Sequence, residues 1–180
     1  DGLGLDHVEA ALDLALTRDR GGLDLPGGLR AWVEADRFYL GRPPVEARLE
    51  YEYPLEAPGE VLIPETGRRI KAVTGPRPAV LDLKGLGPFS AVLDLDRISP
   101  PLCVRSPRPG DRFRPLGLAG AKKLSDFFID LGVPLRERAR TPLVADQAGL
   151  LWVAGGRLDH RVRVRPETRR LLWLTLAPEE

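Results

Sequence analysis

Gly117-Leu118-Ala119-Gly120-Ala121-Lys122-Lys123-Leu124-Ser125-Asp126-Phe127-Phe128-Ile129-Asp130-Leu131-Gly132 is the stretch around which the second half of the chain is organised. Leu124, Phe127, Phe128 and Leu131 recur at i, i+3, i+4 and i+7, the spacing of one apolar helix face. Lys122, Lys123, Asp126 and Asp130 fall on the other faces, with both lysines in the expected first turn. Gly132 suits the left-handed position after a helix, and Pro134 blocks continuation. A glycine-containing loop precedes the helix. A helix N-terminus has unpaired N–H groups and a partial positive charge, so this end, with two lysines, suits an anion such as phosphate. The competing reading is an ordinary core helix with two solvated lysines.

The charge map favours the first reading. The net charge of +1 conceals an asymmetry: residues 1–104 hold 12 Lys and Arg against 17 Asp and Glu, and residues 105–180 hold 15 against 9. A basic module following an acidic one is the electrostatic footprint of a polyanion site in the C-terminal part. Arg fits phosphate bidentately, and such contacts position a nucleic acid without reading its sequence. Phe113, Phe127, Phe128, Trp152 and Trp173 sit mostly at core spacing. That argues against a single-strand stacking platform and for contacts to the backbone of a structured RNA.

Bulk composition bounds the rest. The 180 residues suffice for one large domain or two small ones, and 43% hydrophobic with 29% charged is a globular composition. No apolar run approaches the roughly 18 residues of a membrane span, and no signal-peptide pattern opens the chain. The expected compartment is the cytoplasm. The single cysteine, Cys103, excludes an internal disulfide and a multi-cysteine zinc site, and its apolar surroundings suit a structural thiol better than a nucleophile. The chain contains no Met, so a fragment or processed piece is expected. Absent Asn, a lone Gln147 and 18 prolines suggest a thermophile or a GC-rich genome.

Along the chain, Asp6 to Arg18 predicts a helix with Val8, Ala11, Leu12, Ala15 and Leu16 as its apolar stripe, ended by Gly21-Gly22. Leu23-Asp24-Leu25-Pro26-Gly27-Gly28-Leu29 predicts strand, turn and strand. Ala31–Glu34 and Arg37–Leu40 predict a hairpin through Ala35-Asp36. After Pro43-Pro44, short runs at 45–53, 61–63, 69–73, 80–83, 91–95 and 102–104 predict antiparallel β-structure. Beyond a turn at 106–113 and the central helix, Pro134 to Arg140 predicts a short helix. Leu143–Ala145 and Leu150–Ala154 predict a hairpin, Arg161, Arg163 and Arg165 alternate with Val162 and Val164 as in a strand, and Leu171–Leu176 closes the fold. The fold class is therefore α+β: an N-terminal helix and an antiparallel β-rich module (1–104), then a small mixed α/β C-terminal domain (105–180).

Catalytic motifs are missing. Gly120-Ala121-Lys122-Lys123 lacks the P-loop spacing, and neither Gly-x-Gly-x-x-Gly nor Gly-x-Ser-x-Gly occurs. Asp159-His160 suggests acid–base work, but with arginines on both sides and no third partner a hydrolase is the remotest reading. Asp111, Asp126 and Asp130 lie among cations, so charge pairing suits them better than metal binding, and Lys122–Asp126 has i, i+4 spacing. No catalytic residue and no metal ligand is assigned. The phosphate-contact candidates are Arg112, Lys122, Lys123, Arg136, Arg138, Arg140, Arg157, Arg161 and Arg163.

Arg112-Phe113, Lys122-Lys123-Leu124-Ser125-Asp126-Phe127-Phe128-Ile129-Asp130, Val133-Pro134 with Arg138, Pro142-Leu143, Trp152-Val153 and Arg157-Leu158-Asp159 follow one another in an order that resembles the C-terminal region of bacterial tRNA(Ile)-lysidine synthetases. Arg163-Val164-Arg165-Pro166-Glu167-Thr168-Arg169-Arg170 and the strand after it fit too. The resemblance covers about 105–176 and loosens over 1–104. Asp159-His160-Arg161 departs from the family's usual Asp-Glu-Arg. The resemblance implies a final domain similar to one in the phenylalanyl-tRNA synthetase β-subunit. It also implies an ATP-dependent ligase that attaches L-lysine to the wobble cytidine of the isoleucine tRNA with a CAU anticodon. The family's Ser-Gly-Gly-x-Asp-Ser loop for ATP has no counterpart here. The resemblance therefore implies that ATP and Mg2+ belong to a catalytic domain elsewhere, that this stretch holds tRNA, and that alone it is inactive. The alternative is an interaction or homodimerisation module.

Overall fold

The computed structural model describes residues 3–17, 21–34, 37–42 and 49–178, without the side chains of Glu34 and Arg136. The chain forms two compact units, 1–48 with 124–139, and 49–123 with 140–180.

In the first unit, α1 (Leu5–Thr17) is followed by β1 (Gly21–Leu25), β2 (Leu29–Glu34) and β3 (Arg37–Gly41), and later by α2 (Leu124–Asp130) and α3 (Leu135–Arg138). β1, β2 and β3 form an antiparallel sheet, with Pro26-Gly27-Gly28 turning the first pair; Gly27 and Gly28 both have φ above +70°, which only glycine adopts freely. Ala11 and Leu14 of α1 pack on Leu25, Ala31 and Val33. Of the expected stripe only Ala11 is buried: Val8, Leu12 and Leu16 are exposed, and Leu14, outside that stripe, is buried instead, so α1 is apolar on more than one side. The residues meant to end α1 differ as well. Gly21 and Gly22 already belong to β1, and Arg18, like the Ala35-Asp36 turn and residues 43–48, lies outside the described residues.

α2 buries Leu124, Phe127, Phe128 and Ile129, while Leu131, past its end, stays 39% exposed. Its C-terminus closes as the glycine predicts. Gly132 has φ +67°, its N–H donates to Ile129 O at 2.9 Å, and Val133 N–H donates to Phe128 O at 2.9 Å, the paired bonds of a Schellman end. Arg30 on β2 ties the helix to the sheet, bonding Asp24 at 2.9 Å and Asp126 at 3.2 Å.

The second unit contains β4 (Glu52–Leu55), β5 (Gly59–Ile63), β6 (Arg68–Pro76), β7 (Ser90–Asp94), β8 (Leu102–Arg105), β9 (Arg112–Phe113), β10 (Lys122–Lys123), β11 (Leu143–Asp146), β12 (Gly149–Val153) and β13 (Arg170–Pro178). Two four-stranded antiparallel sheets, β12-β11-β8-β4 and β5-β6-β13-β7, share one core that includes Ile63, Ile70, Leu93, Val104, Val144, Leu151, Trp152, Leu172 and Leu174. β13 is central in its sheet, and Leu171, Leu172 and Leu174 are fully buried, as a nearly continuous apolar run requires. The fold is α+β.

Three expectations change. The seam placed at 104/105 falls inside β8, which pairs with β4 on one edge and β11 on the other, so the chain does not divide there. The run at 80–83 is not a strand, because the Asp82 carboxylate accepts from Lys84 N–H (2.9 Å) and Gly85 N–H (3.2 Å) and turns the chain. The arginine-faced strand at 161–165 is instead a 3₁₀ turn over His160–Val162, capped by Asp159.

Candidate nucleic-acid interface

Lys122 and Lys123 stand on β10, not in the first turn of α2. Gly117 (φ +83°) and Gly120 (φ +74°) fold the intervening loop so that the lysines return alongside β9. The register sets Lys123 directly across from Arg112, and Lys122 across from Phe113. Burial alternates along the β9 segment: Arg112 and Arg114 are exposed, Phe113 and Pro115 buried. A period of two puts both arginines on one outward face. Arg112, Lys123 and Arg114 thus crowd one edge of this unit.

Asp159 fixes the neighbouring strand of positive charge. Its buried carboxylate accepts from Arg114 N–H at 2.8 Å and from Arg161 N–H at 2.7 Å. Backbone bonds complete the join, from His160 N–H to Arg114 O (2.7 Å) and from Leu116 N–H to Leu158 O (2.9 Å). The residues 112–116 and 157–160 are therefore held side by side. Arg163 folds back to donate to His160 O at 3.1 Å. Burial first, then the guanidinium groups of Arg163, Arg114 and Arg165, hold the half-exposed His160 imidazole below its ordinary pKa, against a weaker opposing effect of Asp159. The local field is positive. Asp159 serves as a backbone anchor, with both carboxylate oxygens taken by main-chain N–H groups.

The other candidates are distributed unevenly. Arg157 is exposed and donates to Leu116 O at 2.8 Å, bracing the glycine loop. Arg140 is exposed, with a long contact of 3.5 Å to Thr66 O. Arg161 is committed inward: both its terminal nitrogens bond the buried Asp146 carboxylate, at 3.1 and 3.0 Å, and one also donates to Arg97 O. Arg138 is buried, with Nε donating to Val133 O at 3.0 Å, and belongs with Arg136 to the first unit. Arg138 and Arg161 therefore support the fold, and the backbone of Arg136 lies on α3. Arg114 and Arg165 were missed by the sequence reading. The signal for Arg114 is the alternation Arg112-Phe113-Arg114-Pro115; Arg165 shares the alternation of Arg161 and Arg163, although no strand forms there.

Arg105 and Asp111 hold the approach to β9. The pair is bidentate, at 2.7 and 2.9 Å, and nearly buried, and Asp111 also accepts from Arg108 N–H at 2.8 Å. Partial burial, then Glu52, pushes the Cys103 thiol pKa up, the reverse of an activated nucleophile. Among the described residues no three His, Cys, Asp or Glu side chains gather to hold a metal, and no helix is long and apolar enough to cross a membrane.

The arrangement defines a class: an α+β domain presenting a basic edge, built by buried carboxylates that orient backbone. The comparisons give the family. Residues 102–173 match the family described as the TilS substrate C-terminal domain. A solved TilS C-terminal domain is 31% identical, with a TM-score of 0.63, covering 73% of this chain and 98% of that one. The tRNA(Ile)-lysidine synthase of Symbiobacterium thermophilum is 38% identical over 97% of this chain and 37% of that protein. An N-terminal fragment of the Pyrococcus horikoshii phenylalanyl-tRNA synthetase β-subunit overlaps half of the chain weakly, at 20% identity and a TM-score of 0.41. The chain belongs to the family of C-terminal domains of tRNA(Ile)-lysidine synthases. It spans less than two fifths of the length of the curated relatives it matches.

Proposed function

We propose that this chain holds tRNA for a tRNA(Ile)-lysidine synthase, contacting RNA phosphates through the edge that carries Arg112, Arg114 and Lys123. The observation that carries the reading is the cross-strand pair Arg112 and Lys123, two cations directly opposite one another, with Arg114 on the same outward face. Cations clustered on one outward face suit charge-assisted hydrogen bonds to a phosphate. Lys122 on β10, Arg157 and Arg163 about the 157–160 segment, and Arg140 elsewhere in the same unit are further contacts in this proposal. Ligation of L-lysine to the wobble cytidine of the CAU-anticodon tRNA(Ile), with ATP and Mg2+, belongs in this proposal to the part of the family's chains beyond this stretch. The absent Ser-Gly-Gly-x-Asp-Ser motif does not fit ATP here, and the stretch alone is inactive.

The test is charge reversal. Arg112→Glu with Lys123→Glu is expected to weaken binding of a tRNA(Ile) transcript at least tenfold at low salt, with an unchanged circular dichroism spectrum. Each lost contact flattens the log–log salt dependence by about 0.7 to 0.9. Unaltered affinity and slope in the folded double mutant would remove this edge from the RNA site.

A second reading, a homodimerising module, is favoured by one observation. Leu5, Val8, Leu12 and Leu16 of α1 are 80%, 46%, 54% and 83% exposed along the helix. It requires a stable dimer in sedimentation that Leu12→Lys with Leu16→Lys dissociates.

A further inference from the structure

We infer that His160 and the arginines around it form a phosphate site that takes up a proton from solvent as it binds RNA. The inference rests on the tRNA-holding reading and adds the residue that makes binding pH-dependent. His160 is half-exposed at the end of the basic edge, pinned by its N–H to Arg114 O at 2.7 Å. Arg114 is exposed beside it, and Arg163 is drawn against it by the bond to His160 O. Arg165 acts on the imidazole more weakly; its Nη1 lies 3.9 Å from the exposed Glu167 carboxylate, and its buried Nε has no hydrogen-bond partner. The antiparallel bridge between Pro115 and Asp159 sets Arg114 beside His160, and Arg163 bonds the His160 carbonyl, so two arginines adjoin this residue.

The other charged groups nearby are already engaged. Asp159, the nearest carboxylate, uses one oxygen on Arg114 N–H and the other on Arg161 N–H. The adjoining 3₁₀ turn, Leu95–Arg97, contributes Asp96, which Arg170 binds, and Arg97, whose Nε lies 3.9 Å from Asp94. Arg161 is held by Asp146. Across β9 and β10 the further charges are Arg112, Lys122 and Lys123, all positive.

In the free chain burial first, and then the arginines, disfavour an imidazolium at His160. A phosphate group settling among Arg114, Arg163 and His160 reverses the sign of the field. It cancels the guanidinium charges and attracts a proton to the imidazole, which then donates to a phosphate oxygen. Linkage fixes the direction. The bound state holds more protons than the free state, so affinity rises as pH falls through the bound-state pKa, and levels off below the free-state pKa.

The experiment measures binding of a tRNA(Ile) transcript to this 180-residue chain from pH 5.5 to 8 at constant ionic strength. Calorimetry in two buffers of different ionisation heat counts the protons taken up. His160→Ala and His160→Gln are measured alongside, with thermal melts to establish that each folds. The expected result is an affinity that rises with acidity, by up to about tenfold per pH unit, with up to one proton taken up. Both variants bind RNA with a flat pH profile and no uptake. RNA binding without pH dependence, or an identical slope in the folded variants, overturns the inference and leaves the tRNA-holding reading standing. Absence of RNA binding at every pH at low salt overturns that reading and the inference with it. Inorganic phosphate is expected to bind far more weakly than RNA; equal affinity would overturn RNA as the source of the phosphate.

Discussion

Asp111 and Asp159 decide where the cations of the basic edge stand, and neither faces solvent. Asp159 joins two backbone segments by accepting from Arg114 N–H and Arg161 N–H, and Asp111 locks the loop that delivers Arg112 by a bidentate bond to Arg105. Removing one partner of a buried pair strands the other charge. Asp111→Ala is therefore expected to lose about 3–5 kcal/mol of stability, read from urea unfolding, because the Arg105 guanidinium is left buried and unpaired. A loss below about 1 kcal/mol would place the pair among ordinary surface bridges. At this scale the sequence showed which residue types were charge partners, but not which ones meet. Asp111 lies among cations as expected. Asp126, matched by spacing to Lys122, bonds Arg30, far away in sequence, because α2 packs on the β1–β2 hairpin. Such pairings depend on tertiary contact, which no local spacing encodes.

Local pattern predicted elements well where one face is buried and capping chemistry is explicit. The Phe127–Phe128 periodicity and Gly132 located α2 and its end, alternation located β5 and β6, and the runs flanking Asp146-Gln147-Ala148-Gly149 located the hairpin of β11 and β12. Gly132→Ala is expected to cost about 1–2 kcal/mol, since a Cβ at φ +67° meets the following carbonyl. An unchanged thermal midpoint would show that the helix end relaxes freely. The pattern misled where a side chain overrode it. Arg161-Val162-Arg163-Val164 alternates like a strand, yet the Asp159 cap winds its start into a 3₁₀ turn with only Val162 fully buried. Lys122 and Lys123 continue the helical spacing, yet two left-handed glycines bring them back onto β9. The anion-binding idea thereby moves from a helix terminus to a sheet edge.

The molecule as a whole keeps the charge separation that first suggested a polyanion, with a different boundary. The unit of 49–123 and 140–180 holds 19 Lys and Arg against 14 Asp and Glu; the unit of 1–48 and 124–139 holds 8 against 12. The sequence order hid this partition because 124–139 leaves the basic unit to complete the acidic one. Net positive charge favours association with any polyanion, so ionic strength is the variable that exposes the mechanism. The most direct measurement is a salt titration of this chain's binding to tRNA(Ile) and to an unrelated tRNA. The account predicts binding at low salt that falls steeply as salt rises, with Arg112→Glu and Lys123→Glu reducing the slope. Binding that is absent at low salt, or insensitive to salt, would contradict it.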